Sequence, residues 1–408
     1  MSRVVITGVG MVTPLGSTVQ SSWQGIQESR SAIGPITRFD PTGYPVRFAA
    51  EADDPGTSLV TAPWPMLQGD SLLDLKARLA FAAVTEALAQ SGLPAGGDRV
   101  GVCVGSEASR PPLSLVAERL LNNRPPPAAE LARMSPDAPT RMIAAMLGAT
   151  GPLSTISTAC TSSSQAVGEG MLQIRRGRAD VMIVGGVDVL VDPIMVTGFS
   201  LLGALSTRND DPQAASRPFD IDRDGFVLGE GAGFLVLESE AHARARGAEI
   251  LGVLSGFGCS CNAYRITDSP PDGRGAAQSM TAALADAGIS ADQLGYINAH
   301  GTSTQQNDAS ETCGIQRALG SAVAQVPVSS TKSAMGHLVA ACGAVEVILC
   351  LQAIRDGVLP PTLNLDRPDP ACDLAHVPLT ARRAPVQHAM TNAFGFGGSN
   401  GSIVVSAI

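Results

Sequence analysis

Three stretches near the start of the chain recur, in the same order, beyond residue 250. Val5-Ile6-Thr7-Gly8-Val9-Gly10 is echoed by Val253-Leu254-Ser255-Gly256-Phe257-Gly258. Ala87-Leu88-Ala89-Gln90-Ser91-Gly92-Leu93 is echoed by Ala283-Leu284-Ala285-Asp286-Ala287-Gly288-Ile289, and Val100-Gly101-Val102-Cys103-Val104-Gly105-Ser106 by Gly295-Tyr296-Ile297-Asn298-Ala299-His300-Gly301. Each set reads as a strand, a helix closed by glycine, and a strand running into a turn. One match would be chance, but three in register argue for a duplicated unit. The chain is therefore expected to fold as two similar halves, divided as 1–250 and 251–408.

The halves are unequal, since 79 positions separate Gly8 from Ala87 and only 27 separate Gly256 from Ala283. The excess is expected in the Pro-rich, polar stretch from Pro35 to Gln68. A second loop-rich stretch, Arg110 to Pro139, contains Pro125-Pro126-Pro127 and cannot be one continuous helix. Excursions of this kind cover sites or build interfaces. Val181–Val184, Phe234–Leu237 and Ile403–Val405 read as buried strands that alternate with helices. The fold class is α/β, each half a sheet covered by helices.

Composition narrows the function. The 408 residues are 44% hydrophobic but only 4% aromatic, with 44 glycines, which suits dense packing of small side chains. A formal charge of −9 argues against a nucleic-acid or anionic-membrane surface. No run approaches a membrane span, and Met1 to Gly8 reaches glycine too soon for a signal peptide, so a cytoplasmic location without membrane contact is expected. Eight cysteines without an even framework of spacings read as free thiols. Cys259 and Cys261 have no second pair at zinc-site spacing, and no metal site is expected there.

Four segments carry chemistry. Leu153 to Val167 runs from a β-prone stretch through Cys160 into a helix of small residues. A cysteine there can have its thiolate, and later an oxyanion, stabilised by the free N–H groups of the helix start. A buried structural cysteine is the competing reading. Of five histidines, His300 follows a strand and precedes Gly301-Thr302-Ser303-Thr304, and His337 enters a second small-residue helix. Either alone could be structural; His242, His376 and His388 are expected on the surface. Arginine is the default cation, and Lys76 and Lys332 are the sole lysines. Lys332, in an apolar, glycine-rich setting, calls for carboxylate partners such as Asp308, Glu311 or Glu346, with a solvated lysine at a helix start as the competing reading. Thr391-Asn392-Ala393-Phe394-Gly395-Phe396-Gly397-Gly398-Ser399-Asn400 is either a mobile glycine loop or a tight turn between core strands. It lacks the lysine of a P-loop.

Together, the segments around Cys160, His300, Lys332, His337 and Phe396 resemble the elongating β-ketoacyl-acyl-carrier-protein synthases of the thiolase superfamily. Ala204 to Asp210, Ser216 to Asp220 and Arg223 to Gly233 extend the likeness over essentially the whole chain. The resemblance implies a thiolase-like five-layered αβαβα fold and a decarboxylative Claisen condensation with malonyl-acyl-carrier protein, in fatty-acid or specialised type II polyketide or polyene biosynthesis. It implies that Cys160 carries the acyl chain and that His300 and His337 bind the malonyl thioester carbonyl. Lys332 with Asp308, Glu311 and Glu346 would support the histidines. The N–H groups of Cys160 and Phe396 would form an oxyanion hole, Phe199, Phe394 and Phe396 a gate, and Thr302 and Thr304 a pantetheine contact. Some relatives hold a monovalent cation near positions matching Asn298, Glu346, Thr391 and Asn400. No cofactor is implied beyond the carrier's phosphopantetheine; the implied partners are an acyl-carrier protein and a second subunit, as homodimer or as heterodimer with a related ketosynthase-like chain.

The chain also departs from the housekeeping fatty-acid enzymes it resembles. Glu107-Ala108-Ser109-Arg110-Pro111-Pro112 replaces a glycine-rich stretch that lines their acyl pocket. Gln305-Gln306-Asn307 and Asn262-Ala263-Tyr264 are closer to ketosynthases of type II polyketide pathways. Gly203 stands where a carrier-binding arginine is common, leaving Arg124, Arg133 and Arg141 as candidate substitutes. Two alternatives remain: a non-elongating chain-length partner, against which the intact Cys160, His300 and His337 argue, and a degradative thiolase, which would use a second cysteine that Phe394 to Asn400 lacks.

Overall fold

The computed structural model describes residues 2–56, 74–94, 96–111 and 113–408. Ten strands form its main sheet: β1 Val4–Val12, β2 Val100–Ser106, β3 Leu153–Ile156, β4 Val181–Asp188, β5 Gly231–Ser239, β6 Gly252–Cys261, β7 Tyr296–Asn298, β8 Val328–Ser329, β9 His388–Phe394 and β10 Ser399–Ser406. Their order is β8-β7-β9-β10-β6-β1-β5-β4-β2-β3. The first five strands in chain order make one half-sheet and the last five the other, joined where Val5 and Ile6 of β1 pair with Val253 and Gly252 of β6. From that seam outward each half repeats one pattern: two antiparallel pairings, then two parallel ones.

The repeated glycines have a packing cause. A Cβ on Gly8 would stand 2.1 Å from the carbonyl oxygen of Ala87, and one on Gly256 would stand 2.2 Å from that of Ala283. Each half thus lays an outer helix, Leu75–Ser91 or Arg274–Ala287, directly on its strand backbone. Each helix ends on a left-handed glycine, Gly92 or Gly288, where a Cβ would be strained.

Between the half-sheets lie two central helices, Ser162–Arg175 and Cys342–Asp356. Gly343 abuts Ser164, Gly168 of the first abuts Phe257 of β6, and Gly233 of β5 abuts Val345 of the second. The five layers are therefore helix, sheet, paired helices, sheet, helix. Strand alternation serves both faces of each sheet. Ile183 and Val181 pack outward with Leu79 and Val84, whereas Met182 and Val184 pack inward with Val167 and Met171. In the second half Val404 faces Met280 and Leu284, while Ile403 and Val405 face the central helices. Burial on both faces explains why these strands read as continuous apolar runs.

The excess of the first half starts earlier than the predicted Pro35. It includes a helix, Val19–Gln27, opened by Thr18, whose side chain accepts the N–H of Ser21. That helix buries Trp23 and Ile26, and Trp23 Nε1 donates to Asp356 at 2.7 Å. A short pairing of Gly34–Pro35 with Phe48–Ala49 follows, bringing Ile36, Val46 and Phe48 into the apolar cluster that contains Cys160. Residues 57–68 of the predicted excursion lie outside the described residues, as does Pro112. Three helices, Leu113–Leu121, Ala128–Met134 and Ala138–Leu147, fill most of the second loop-rich stretch and are broken at the prolines. Among the described residues no helix is long and apolar enough to cross a membrane.

Candidate active site

Each central helix is entered through one 3-10 turn with a left-handed residue at its start. In the first half the turn is Ala159–Thr161, with Ala159 at φ +52°; in the second it is Val339–Ala341, with Val339 at φ +42°. Non-glycine residues at positive φ cost of order 1–3 kcal/mol each and persist where surrounding structure holds them. The first turn carries Cys160. Two residues before the second sits His337, and its Nε2 lies 3.0 Å from Cys160 Sγ.

The strained second turn also orients that imidazole. The N–H of Val339 donates to His337 Nδ1 at 3.3 Å, which assigns the ring proton to Nε2, the nitrogen facing the sulfur. His300 arrives from the end of β7, its ring 5.3 Å from that of His337 and nearly perpendicular to it. Its Nδ1 is buried without a hydrogen-bond partner, so a proton is better placed on Nε2. One donor atom each from Cys160, His300 and His337 converge to within 4.8 Å, the only such grouping among the described residues.

Burial governs the protonation states. It pushes the Cys160 thiol up to about 12, against the pull of the Lys332 ammonium and of the Phe396 and Cys160 N–H groups, which face the sulfur. Burial, then Lys332, holds both imidazoles well below the usual histidine range, so both are neutral at pH 7.

Lys332 is fully buried and ion-paired with Glu346. Burial works against its charge, but Glu346 outweighs this and its pKa is raised. Glu311 accepts the backbone N–H groups of His300 at 2.8 Å and Gly301 at 2.7 Å, and burial lifts its carboxyl to about 7. Asp308 belongs elsewhere: it accepts the N–H of Phe219 and sits 3.6 Å from Arg223. The predicted carboxylate trio is thus split, with Glu346 on the lysine, Glu311 on the histidine backbone and Asp308 on an arginine that also binds the carbonyl of Thr304.

Cys160, His300, His337, Thr302, Thr304 and Phe396 line a cavity of about 430 Å³. Thr302 and Thr304 share a hydroxyl hydrogen bond of 3.0 Å at its wall. Phe199 lies 6.5 Å from Phe396, and Phe394 packs edge-on to His300 at 5.7 Å. None of Arg124, Arg133 and Arg141 lines this cavity, and Arg141 is committed to Asp137.

The four residues matched to a monovalent cation do not fit one. Lys332 already neutralises Glu346, Thr391 donates to the other oxygen of that carboxylate at 3.4 Å, and Asn298 pairs with Thr331. Asn400 is apart from them, its amide held by Asn262 at 2.8 Å and Ser260 at 3.1 Å.

Some participants escaped the sequence reading. Phe226 stacks edge-on to both His337, at 5.5 Å, and Phe199, at 5.3 Å; it lay inside the quoted Arg223 to Gly233 motif without a role. The Val339 N–H is a backbone group, invisible to residue type. His242, His376 and His388 are half-buried rather than on the surface, each bonded, to Glu238, the Cys372 carbonyl and Ser406.

A thiol facing two neutral imidazoles and two backbone N–H groups, at the meeting of two similar helix starts, can attack an acyl carbonyl and hold the charge that forms on its oxygen. A family model described as beta-ketoacyl synthase, N-terminal domain, matches residues 1–243, and its C-terminal counterpart matches residues 251–366. The chain belongs to the β-ketoacyl synthase family. It is 43% identical over 414 residues to the 3-oxoacyl-acyl-carrier-protein synthase 2 of Vibrio harveyi, covering 100% of this chain and 99% of the relative. It is 40% identical over 418 residues to the tetracenomycin polyketide synthase ketoacyl synthase alpha subunit of Streptomyces glaucescens, covering 99% of this chain and 97% of the relative. Among solved structures, a type II polyketide acyl-carrier protein in complex with its ketosynthase bound to the hexaketide matches with a TM-score of 0.88 and 32% identity, over 100% of this chain and 99% of that one. As a β-ketoacyl synthase the chain has the thiolase-like architecture expected of it.

Proposed function

We propose that this β-ketoacyl synthase condenses an acyl group held on Cys160 with malonyl-acyl-carrier protein to give 3-oxoacyl-acyl-carrier protein. It acts in the cytoplasm, on carrier-bound substrates, as a dimer, with no cofactor beyond the carrier's phosphopantetheine. The observation that carries this reading is the 3.0 Å approach of His337 Nε2 to Cys160 Sγ, with the proton on Nε2.

The sulfur attacks the primer thioester carbonyl, whose oxygen is received by the N–H groups of Cys160 and Phe396. The carbonyl re-forms as the carrier thiol departs with a proton. The malonyl thioester then places its carbonyl oxygen between His300 and His337. Its C–CO2 bond breaks, CO2 leaves, and the electron pair becomes an enolate held by two imidazole N–H donors. Such donors act on charge that appears only on the way to product. The enolate carbon attacks the acyl carbonyl, the C–S bond breaks, and the released Cys160 thiolate takes a proton from water. Burial, helped by Lys332 fixed on Glu346, keeps both imidazoles neutral, and Glu311 fixes the backbone at His300. The nucleophile comes from residues 1–250 and the histidines from 251–408.

Neither alternative has comparable support. A chain-length partner has no use for the assembled thiol and donors. The second thiol near the site, Cys342, is buried, donates to the Cys160 carbonyl and has its pKa raised well above the thiol range, unlike a thiolase base.

Intact mass of the protein incubated with a panel of acyl-carrier proteins and malonyl-carrier protein tests this. Acyl-Cys160 and an elongated carrier product are expected. No acylation of the wild type by any primer would overturn it, and acylation without elongation until a related subunit is added would replace the homodimer by a heterodimer.

A further inference from the structure

Beyond Phe199 lies a second cavity, of about 290 Å³, that shares Ala159, Phe199 and Val339 with the first. Its lining combines the apolar Leu190, Met195 and Phe199 with the charged Glu107 and Arg110. Arg110 is ion-paired with Asp192 at 2.8 Å and also donates to the carbonyls of Ala108 and Val189.

Glu107 differs from it. One oxygen accepts the N–H of Ala159 at 3.0 Å and the hydroxyl of Ser162 at 3.2 Å; the other accepts Ser157 at 2.7 Å. A carboxylate has about four acceptor sites, so Oε2 keeps one open. Among the described residues Glu107 has no ion-pair partner. The nearby Lys76 ammonium is spent on the Glu107 carbonyl, at 2.7 Å, and on the buried Asp188, at 3.4 Å. Glu107 therefore brings an un-neutralised acceptor to the lining of a cavity beside the nucleophile, its backbone carbonyl held by Lys76.

We propose that Glu107 is a specificity-determining residue: with the second cavity as the acyl pocket that the family resemblance implies, its carboxylate selects acyl groups that carry a hydroxyl or amino donor over plain alkyl chains of equal length. This rests on the acyl-Cys160 reading above. An alkyl chain laid against the carboxylate strips water from the open acceptor site and returns nothing. A donor there makes a charge-assisted hydrogen bond.

The test loads Cys160 from pantetheine thioesters of hexanoate, unsubstituted or with one hydroxyl or amino group at carbons 3 to 6, and follows acylation by mass. Wild type is expected to load at least one substituted primer about tenfold faster than hexanoate, in line with a hydrogen bond to a charged group. Glu107→Gln should shrink that advantage and Glu107→Ala should remove it. Iodoacetamide alkylation of Cys160, which needs no acyl cavity, checks that the nucleophile turn is intact in each variant. Hexanoate loading on wild type as fast as every substituted primer would overturn the proposal, whatever the variants do. An unchanged preference in Glu107→Ala would overturn it too, as would loss of all loading in both variants with alkylation retained, which makes Glu107 a positioning residue for the turn. No loading of wild type by any primer is the separate failure of the acyl-Cys160 reading itself.

Discussion

The chain leaving β7 carries His300 and Thr302, the chain leaving β9 carries Gly395 and Phe396, and together they line the larger cavity. The equivalent exits in the first half, from β2 and β4, carry Glu107 and Leu190 and line the smaller one. Even the turns match, Ala159–Thr161 against Val339–Ala341, with Ala340 where the first half has Cys160. One backbone device, built twice, thus carries the thiol and the lining of the smaller cavity in one half and the two imidazoles in the other. The two helix starts meet, and the side chains at the strand exits differ between the halves.

That division can be broken first at the donors. His300→Ala should cut condensation by a factor on the order of 10²–10³, the cost of removing one oxyanion donor, while primer transfer to Cys160 stays within about tenfold of wild type. Rapid-quench measurement of each step separately reads this. Loss confined to primer transfer would assign His300 to the wrong half-reaction.

The buried lysines sharpen the comparison, one per half. Lys332→Met and Lys76→Met should each lower unfolding free energy in urea by about 3–5 kcal/mol, because each strands a buried carboxylate, Glu346 or Asp188. Their pH profiles should differ. Burial and then Lys332 depress the His300 and His337 pKa values, and the donors needed in condensation are neutral imidazoles, lost as pH falls through those values. Removing Lys332 raises them, so the acid limb of condensation should move to higher pH in Lys332→Met and stay in place in Lys76→Met. Identical limbs in the two variants would show that Lys332 does not act through the histidines.

A smaller effect concerns the thiol. With burial holding Cys160 at about 12, the thiolate fraction rises about tenfold per pH unit. Iodoacetamide alkylation of Cys160 should therefore climb steadily from pH 7 to 9. A plateau below pH 8 would mean that Lys332 and the facing N–H groups outweigh burial.

Much of this was readable before any coordinates. The glycines of the repeat were visible because close backbone contact admits no other residue, and they marked the helix-on-strand packing at Gly8 and Gly256. Cys160, His300, His337 and Lys332 stood out as reactive or scarce residue types at element boundaries. What stayed hidden depended on contacts between distant segments. Asp308 and Glu311 are three residues apart on one helix, yet sequence proximity does not tell which faces Arg223 and which the His300 backbone. The Val339 N–H that sets the His337 tautomer has no side-chain signature. Lys76 was as rare as Lys332, but its partners, Asp188 and the Glu107 carbonyl, come from strand exits far along the chain.

The central claim is that the first half holds the acyl group and the second half activates its partner. His337→Ala, given acyl-carrier protein and then malonyl-carrier protein, tests it most directly by intact mass and CO2 release. Acylated Cys160 should still form, with malonyl decarboxylation and elongation lost. Equal loss of acylation and decarboxylation would contradict the account.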